Sequence, residues 1–263
     1  MDILVDVRSS ERDTPHIRVA FELAKRFDAH LTGLQIVDLD ATLIALPEPL
    51  LLLEDEENVA ERKRQWWMDT CRLRQVRGDW EVRRGLHRTT LARRASLADL
   101  VIGRLDTRGG GMSRGTAMLA RTVMTRVAPV MLVPDGASVG FMERFLVAWN
   151  GSSVSLRAIR HALPFLRSAR HVTILAGERE SRGRKDADPW LRDWLRRHEV
   201  PYGWADMADD EPPATAIRRM AKHLRADAVV MGAWGRSRLR ELALGGTTRD
   251  MFAHDDLTLI VAA

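Results

Sequence analysis

The sequence predicts an α/β protein built as two tandem, doubly wound units, each a five-stranded parallel sheet flanked by helices. Three observations predict it. Short apolar runs of the buried-strand kind open both halves, at residues 3–7 with Ile3, Leu4 and Val5, and at 145–149 with Phe145, Leu146 and Val147. Strand-like and helix-like segments then alternate in the same order in each half, the pattern of parallel strands joined by right-handed crossovers. Finally, the apolar run 98–103 ending in Gly103 returns as 226–232 ending in Gly232, so one unit is written twice.

The elements follow in order. Behind each first strand a polar turn leads into an amphipathic helix, carrying Val19, Leu23, Ala24 and Phe27 in one half and Leu156, Ile159, Ala162 and Leu163 in the other. Second strands are expected at 30–37 and 171–176, and third strands near 80–84 and 201–206, with a charge-rich helix between second and third. Third helices centre on Leu91 and Ala92, and on Ile217, Met220 and Ala221. After the fourth strands, a glycine-rich loop and a helix lead to last strands at 130–133 and 257–261. Turn formers Pro134, Asp135, Gly136 and Gly140 mark a linker, giving domains 1–135 and 141–263. The first half is longer, and the excess falls on 41–55, with Leu43, Ile44, Leu46 and four successive leucines from Leu50 to Leu53. Such an apolar insertion needs cover, either at a domain or dimer interface or as a flap on its own core.

Composition excludes several classes of function. With 45% hydrophobic and 29% charged residues in 263, the chain has enough apolar material for two cores and is not of the disordered kind. The net charge of +5 comes from 41 basic and 36 acidic residues interleaved throughout. Without a basic tail or a nucleic-acid signature, solvated helix faces account for them, and no specific nucleic-acid partner is expected. The most apolar stretch, 43–53, is broken by Pro47, Glu48 and Pro49, so no membrane span is expected. The first residues carry Asp2 and Asp6 and no basic run, so no secretory signal is expected either. The single cysteine, Cys71, is expected to be a packing residue in a reducing, cytoplasmic setting. Ser152 and Ser237 lack a His–acid pair in the sequence pattern, and His161, His171 and His198 lack metal-ligand spacing, so no catalytic triad and no metal site are expected. Asp209, Asp210 and Glu211, beside Pro212 and Pro213, fit the acidic start of a helix better than a magnesium site.

The chemistry concentrates in the loop after the fourth strand of the second half. Gly232, Gly235, Gly245 and Gly246 lie at the carboxyl end of a buried parallel strand, where open α/β sheets bind ligands. Amides at a helix start near Thr247 suit a phosphate, and the hydroxyls of Thr247 and Thr248 can add donors or cap the helix. The spacing is neither a Walker A loop nor a dinucleotide fingerprint. Trp149 and Trp234 flank the place and offer faces for stacking, or simply core packing.

This spacing, Gly232-x2-Gly235-x9-Gly245, is similar to the ATP loop of the universal stress protein family. The neighbouring Arg236, Ser237, Arg238 and Glu241 resemble members too, as do Ala148, Trp149, Asn150 and Ser152 after the first strand of this half. The resemblance extends over both copies. It implies tandem Rossmann-like domains of the adenine nucleotide alpha hydrolase-like kind, which pair within the chain or as homodimers and serve stress tolerance. It further implies a site for ATP or AMP, with Mg2+ for a triphosphate, formed by Ala148, Trp149, Asn150, Met231, Gly232, Gly235, Arg236, Ser237, Gly245, Gly246, Thr247 and Thr248. The chain departs from the pattern twice: Asn150 replaces the acid that holds the adenine, and Gly246 replaces the hydroxyl residue after the last glycine. The first half departs further, with Arg8 in the acid's place and Asp106 where the second loop glycine belongs, and reads as a degenerate partner. The implied role is a sensor or scaffold and not an efficient enzyme, since no general base is evident. The rivals are a nucleotide-free interaction module with both pockets decayed, a slow ATPase, and a binder of small apolar cargo under the leucine-rich insertion.

Overall fold

Alternation along the strands decides the layers. Ile3 and Val5 of β1 (Asp2–Asp6) face one core and Leu4 the other, and Phe145 and Val147 of β8 (Arg144–Trp149) alternate with Leu146 in the same way. Both faces of the sheet are therefore apolar and both are covered by helices. The computed structural model describes residues 1–39, 49–108, 111–124, 128–137, 140, 142–177, 188–207, 211–233 and 246–263.

In the first half β1 is followed by α1 (Pro15–Arg26), β2 (His30–Asp38), α2 (Pro49–Arg74), β3 (Gly78–Gly85), α3 (His87–Ala95) and β4 (Leu100–Leu105). A small hairpin of β5 (Thr107–Arg108) and β6 (Gly111–Met112), then α4 (Arg114–Met124), leads to β7 (Val130–Pro134). The second half repeats the plan with β8, α5 (Ser153–Arg167), β9 (His171–Gly177), α6 (Pro189–Arg197), β10 (Tyr202–Met207), α7 (Pro213–Leu224), β11 (Ala228–Gly232), α8 (Gly246–Phe252) and β12 (Thr258–Ala262). Strand order from the outer edge is β3-β2-β1-β4-β7 in the first half and β10-β9-β8-β11-β12 in the second. Neighbours within each half are parallel.

The halves meet edge to edge. β7 and β12 pair antiparallel, with Leu132 opposite Leu259 and Val130 opposite Val261, and the result is one ten-stranded sheet. The two strands that would be edges are thereby paired with each other. Each fully buried aliphatic side chain contributes about 2 kcal/mol, and β7 and β12 are buried along their whole length, so the junction is part of the core.

Local sequence explains the starts of the helices. Pro15, Pro189 and Pro213 stand at first-turn positions, where a missing N–H costs nothing. Ser152 caps α5 by accepting a hydrogen bond from the Ser155 amide. The charge-rich α2 packs through Leu53, Ala60, Trp67 and Cys71, one helical stripe. Its Trp67 stacks between Phe21 and Trp80, at 5.0 and 5.5 Å between ring centres. Gly33 of β2 makes room for them, because a Cβ there would fall 2.7 Å from Trp80 and 2.8 Å from Trp67.

One expectation is modified. Residues 49–55, assigned above to the apolar insertion, are the first turns of the 26-residue α2. Leu53 packs into the core while Leu50, Leu51 and Leu52 are exposed, so only the leucine on the helix's inner stripe is covered. Residues 41–48 of the proposed insertion lie outside the described residues. Cys71 is buried, and burial, with Asp79 nearby, pushes its thiol up to about 11, as suits a packing residue.

Candidate functional site

In each half the crossovers reverse direction between the first and fourth strands, opening a crevice at their carboxyl ends. In the second half this is the space beyond β8 and β11, where Ala148 stands beside Met231 in register. The structure brings Ala148, Trp149, Asn150, Met231 and Gly232 together there. Gly246, Thr247 and Thr248 form the first turn of α8. Gly235, Arg236, Ser237 and Gly245, like Trp234, lie outside the described residues.

The described residues divide by environment. Met231, Trp149 and Thr248 are buried, with Trp149 only 5% exposed among the side chains of the α1–α5 layer. Ala148 and Thr247 are half-buried, whereas Asn150 and Gly246 are exposed. The Asn150 Oδ1 accepts hydrogen bonds from the Ser152 hydroxyl at 2.6 Å and the Ser152 amide at 3.2 Å, leaving the amide NH2 as the group it can offer a ligand. Gly232 has a steric reason of its own. A Cβ there would fall 2.6 Å from the Ser155 nitrogen and 2.7 Å from the Val154 carbonyl carbon, so glycine lets α5 begin directly on the end of β11. No such contact explains Gly246, around which the space is open.

The equivalent rim of the first half holds a cluster of charged groups that sequence reading missed. Asp6, at the end of β1, is buried and accepts from His87 Nε2 at 2.9 Å, fixing β1 to the start of α3. Asp38, at the end of β2, accepts from the His87 amide. Glu11 is buried too: its Oε2 accepts from the Arg8 amide at 2.9 Å and lies 3.5 Å from His16 Nε2, and its Oε1 is 3.6 Å from Arg104. Arg104 also forks onto Asp135 in the turn after β7. Lys63, reaching in from α2, donates to the carbonyls of Arg8 at 2.6 Å and Glu11 at 3.0 Å.

Electrostatics separate these groups. Burial pushes Asp6 upward, but the charge and hydrogen bond of His87, helped by Arg8 and His16, outweigh it and hold the carboxyl below its usual 3.8. His87 feels the same contest in reverse and ends above its usual 6.5. His16 is held below 6.5 by burial and by Arg8 and Arg104, against the pull of Glu11 and Asp6. Burial brings the Lys63 ammonium down to about 8, against the attraction of Glu11. One sequence signal could have revealed the cluster, namely an ionisable residue, Asp6, at a strand end in an otherwise apolar run. The expectation that Arg8 departs from the ligand-binding pattern acquires a geometry: its guanidinium lies over Gly115 in the first turn of α4. Among the described residues no group of histidine, cysteine or acid side chains could hold a metal ion, and no helix is long and apolar enough to cross a membrane.

Comparison with known proteins agrees with this architecture. Residues 206–261, which include β11, α8 and β12, match the model of the universal stress protein family. The fold of the whole chain is similar to that of a universal stress protein from Archaeoglobus fulgidus DSM 4304, with a TM-score of 0.74 at 14% identity, covering 99% of this chain and 95% of that one. A putative universal stress protein from Pseudomonas aeruginosa UCBPP-PA14 gives 0.64 at 17% identity, covering 99% and 92%. A functionally unknown protein from Pseudomonas aeruginosa PAO1 gives 0.67 at 16%, covering 99% and 92%. None of the curated proteins matches the chain. The universal stress protein fold thus extends over both halves, while the family's sequence pattern is matched in the second.

Proposed function

We propose that the chain is a stress-response sensor or scaffold whose second half binds an adenine nucleotide, ATP or AMP, at the carboxyl rim of β8 and β11. The observation that carries this reading is the position of Gly232. It ends β11 at the crevice between the first and fourth strands and begins the Gly-x2-Gly-x9-Gly spacing that runs to α8. In this reading Asn150 offers its amide to the base, Gly232 and Gly235 approach the ribose and phosphates, and Gly245 to Thr248 contact the phosphates, with Arg236 and Ser237 beside them. Mg2+ accompanies a triphosphate. Turnover, if any, is slow, and a change of partner follows from occupancy. A cytoplasmic setting fits the single, buried cysteine.

A second reading, a nucleotide-free interaction module, is favoured by a specific observation. Gly232 is accounted for by the approach of α5, and Trp149 is buried in the core, only 5% exposed. Calorimetric titration with ATP, AMP and cyclic AMP separates the two. Binding of one nucleotide per chain supports the first reading, and absence of heat from all three at protein concentrations on the order of millimolar removes it.

A further inference from the structure

The segment between β1 and α1 lies over the carboxyl rim of the first half-sheet and is fastened mainly by polar contacts. Lys63 holds the carbonyls of Arg8 and Glu11, and the buried Glu11 carboxylate ties back to the Arg8 amide. His16, 1% exposed in the first turn of α1, closes the arrangement: Nδ1 pairs with the Thr14 hydroxyl at 3.0 Å and Nε2 faces Glu11. We propose that residues 8–14 and the first turn of α1 form a proton-operated latch over this rim, with His16 as the group whose protonation opens it.

The surroundings of His16 give the sign. From the segment itself Glu11 attracts a proton onto the ring while Arg8 opposes it. From β1, Asp6 attracts, but its charge is already engaged by His87 of α3. From β4, Arg104 opposes, although it is shared with Asp135 and Glu11. From α2, Lys63 competes for Glu11. The exposed Asp13 is paired with Arg18. The first turn of a helix is also a poor place for a cation. Closed, the latch holds His16 neutral. Open, it returns the ring to water and its ordinary value of 6.5. The open form therefore binds the extra proton, and acid favours opening.

Hydrogen exchange on the intact chain tests this. Protection factors of the amides in 8–14 are expected to fall between about pH 7.5 and about pH 5.5, by at most about tenfold, the limit for one proton taken up at 6.5 by the open form. In His16→Gln the fall is expected to vanish. The wild-type imidazole, followed by NMR, is expected to titrate below 6.5, which keeps the proposal testable even where the variant does not fold. Constant protection in the wild type, an equal fall in His16→Gln, or titration of His16 at or above 6.5 would each overturn the latch.

Discussion

The Arg8 guanidinium rests on the backbone of Gly115: a Cβ built on this glycine would fall 1.6 Å from Nη2 and 1.8 Å from Cζ. The first turn of α4, which could cradle a ligand, is covered by a side chain from the loop after β1. Arginine and glycine are thus mutually dependent. Gly115→Ala is expected to push the guanidinium, the far end of a flexible side chain, aside and so to destabilise the wild type by less than about 1 kcal/mol, below the usual range for overpacking. In an Arg8→Ala background the same change should cost little. A double-mutant cycle by urea denaturation measures the coupling, and additive effects would contradict the contact.

Gly232 and Gly246 frame the candidate nucleotide loop but differ in what surrounds them. Gly232→Ala drives a methyl into the backbone of Val154 and Ser155, which cannot turn aside as a side chain could, so a loss of about 1–3 kcal/mol is expected with or without nucleotide. Gly246→Ala meets open space at the start of α8 and is expected to leave stability unchanged or slightly improved. Thermal denaturation of the two variants decides the matter.

The Asp6–His87 pair predicts a pH profile. His87 lies above 6.5 in the fold, so its contribution is fully present below 6.5 and is lost as pH rises through its raised folded value. Asp6 lies below 3.8, so its contribution is present above 3.8 and is lost as pH falls through its lowered folded value. The pair therefore contributes most between 3.8 and 6.5. In His87→Gln the stability deficit is expected to be largest in that window and to shrink toward alkaline pH. Denaturation measured across the range would show a pH-independent deficit if the pair were unimportant.

Several helices end through left-handed residues that are not glycine. Gln75 (φ 58) follows α2 and Arg225 (φ 50) follows α7, and both are exposed. The left-handed region costs an L residue about 1–2 kcal/mol, partly offset in glycine by its greater unfolded entropy. Gln75→Gly and Arg225→Gly are each expected to stabilise by about 0.5–1 kcal/mol, visible as a higher Tm. A lower Tm in both would show that these side chains contribute more than their backbone strain costs.

Local pattern determined most of the fold. The apolar runs that begin at Ile3 and Phe145 had to be buried on both faces, and their alternation with amphipathic helices left parallel, doubly wound halves as the arrangement that covers them. The glycine spacing after Met231 marked the candidate loop because backbone approach to a ligand needs glycine wherever the chain folds. Tertiary structure decided what depends on residues far apart in sequence. Edge pairing of β7 with β12 joins segments with no local signal for one another. That Gly232 answers to Val154, and Gly115 to Arg8, could not be read from spacing, since steric contact belongs to the packed backbone. The rim cluster is the clearest case: apart from Asp6, which interrupts an apolar run, its members Glu11, His16, Lys63, His87 and Arg104 look like ordinary surface charges in sequence. Only the closing of loop and helices over the sheet removes them from water and makes each one's charge depend on the others.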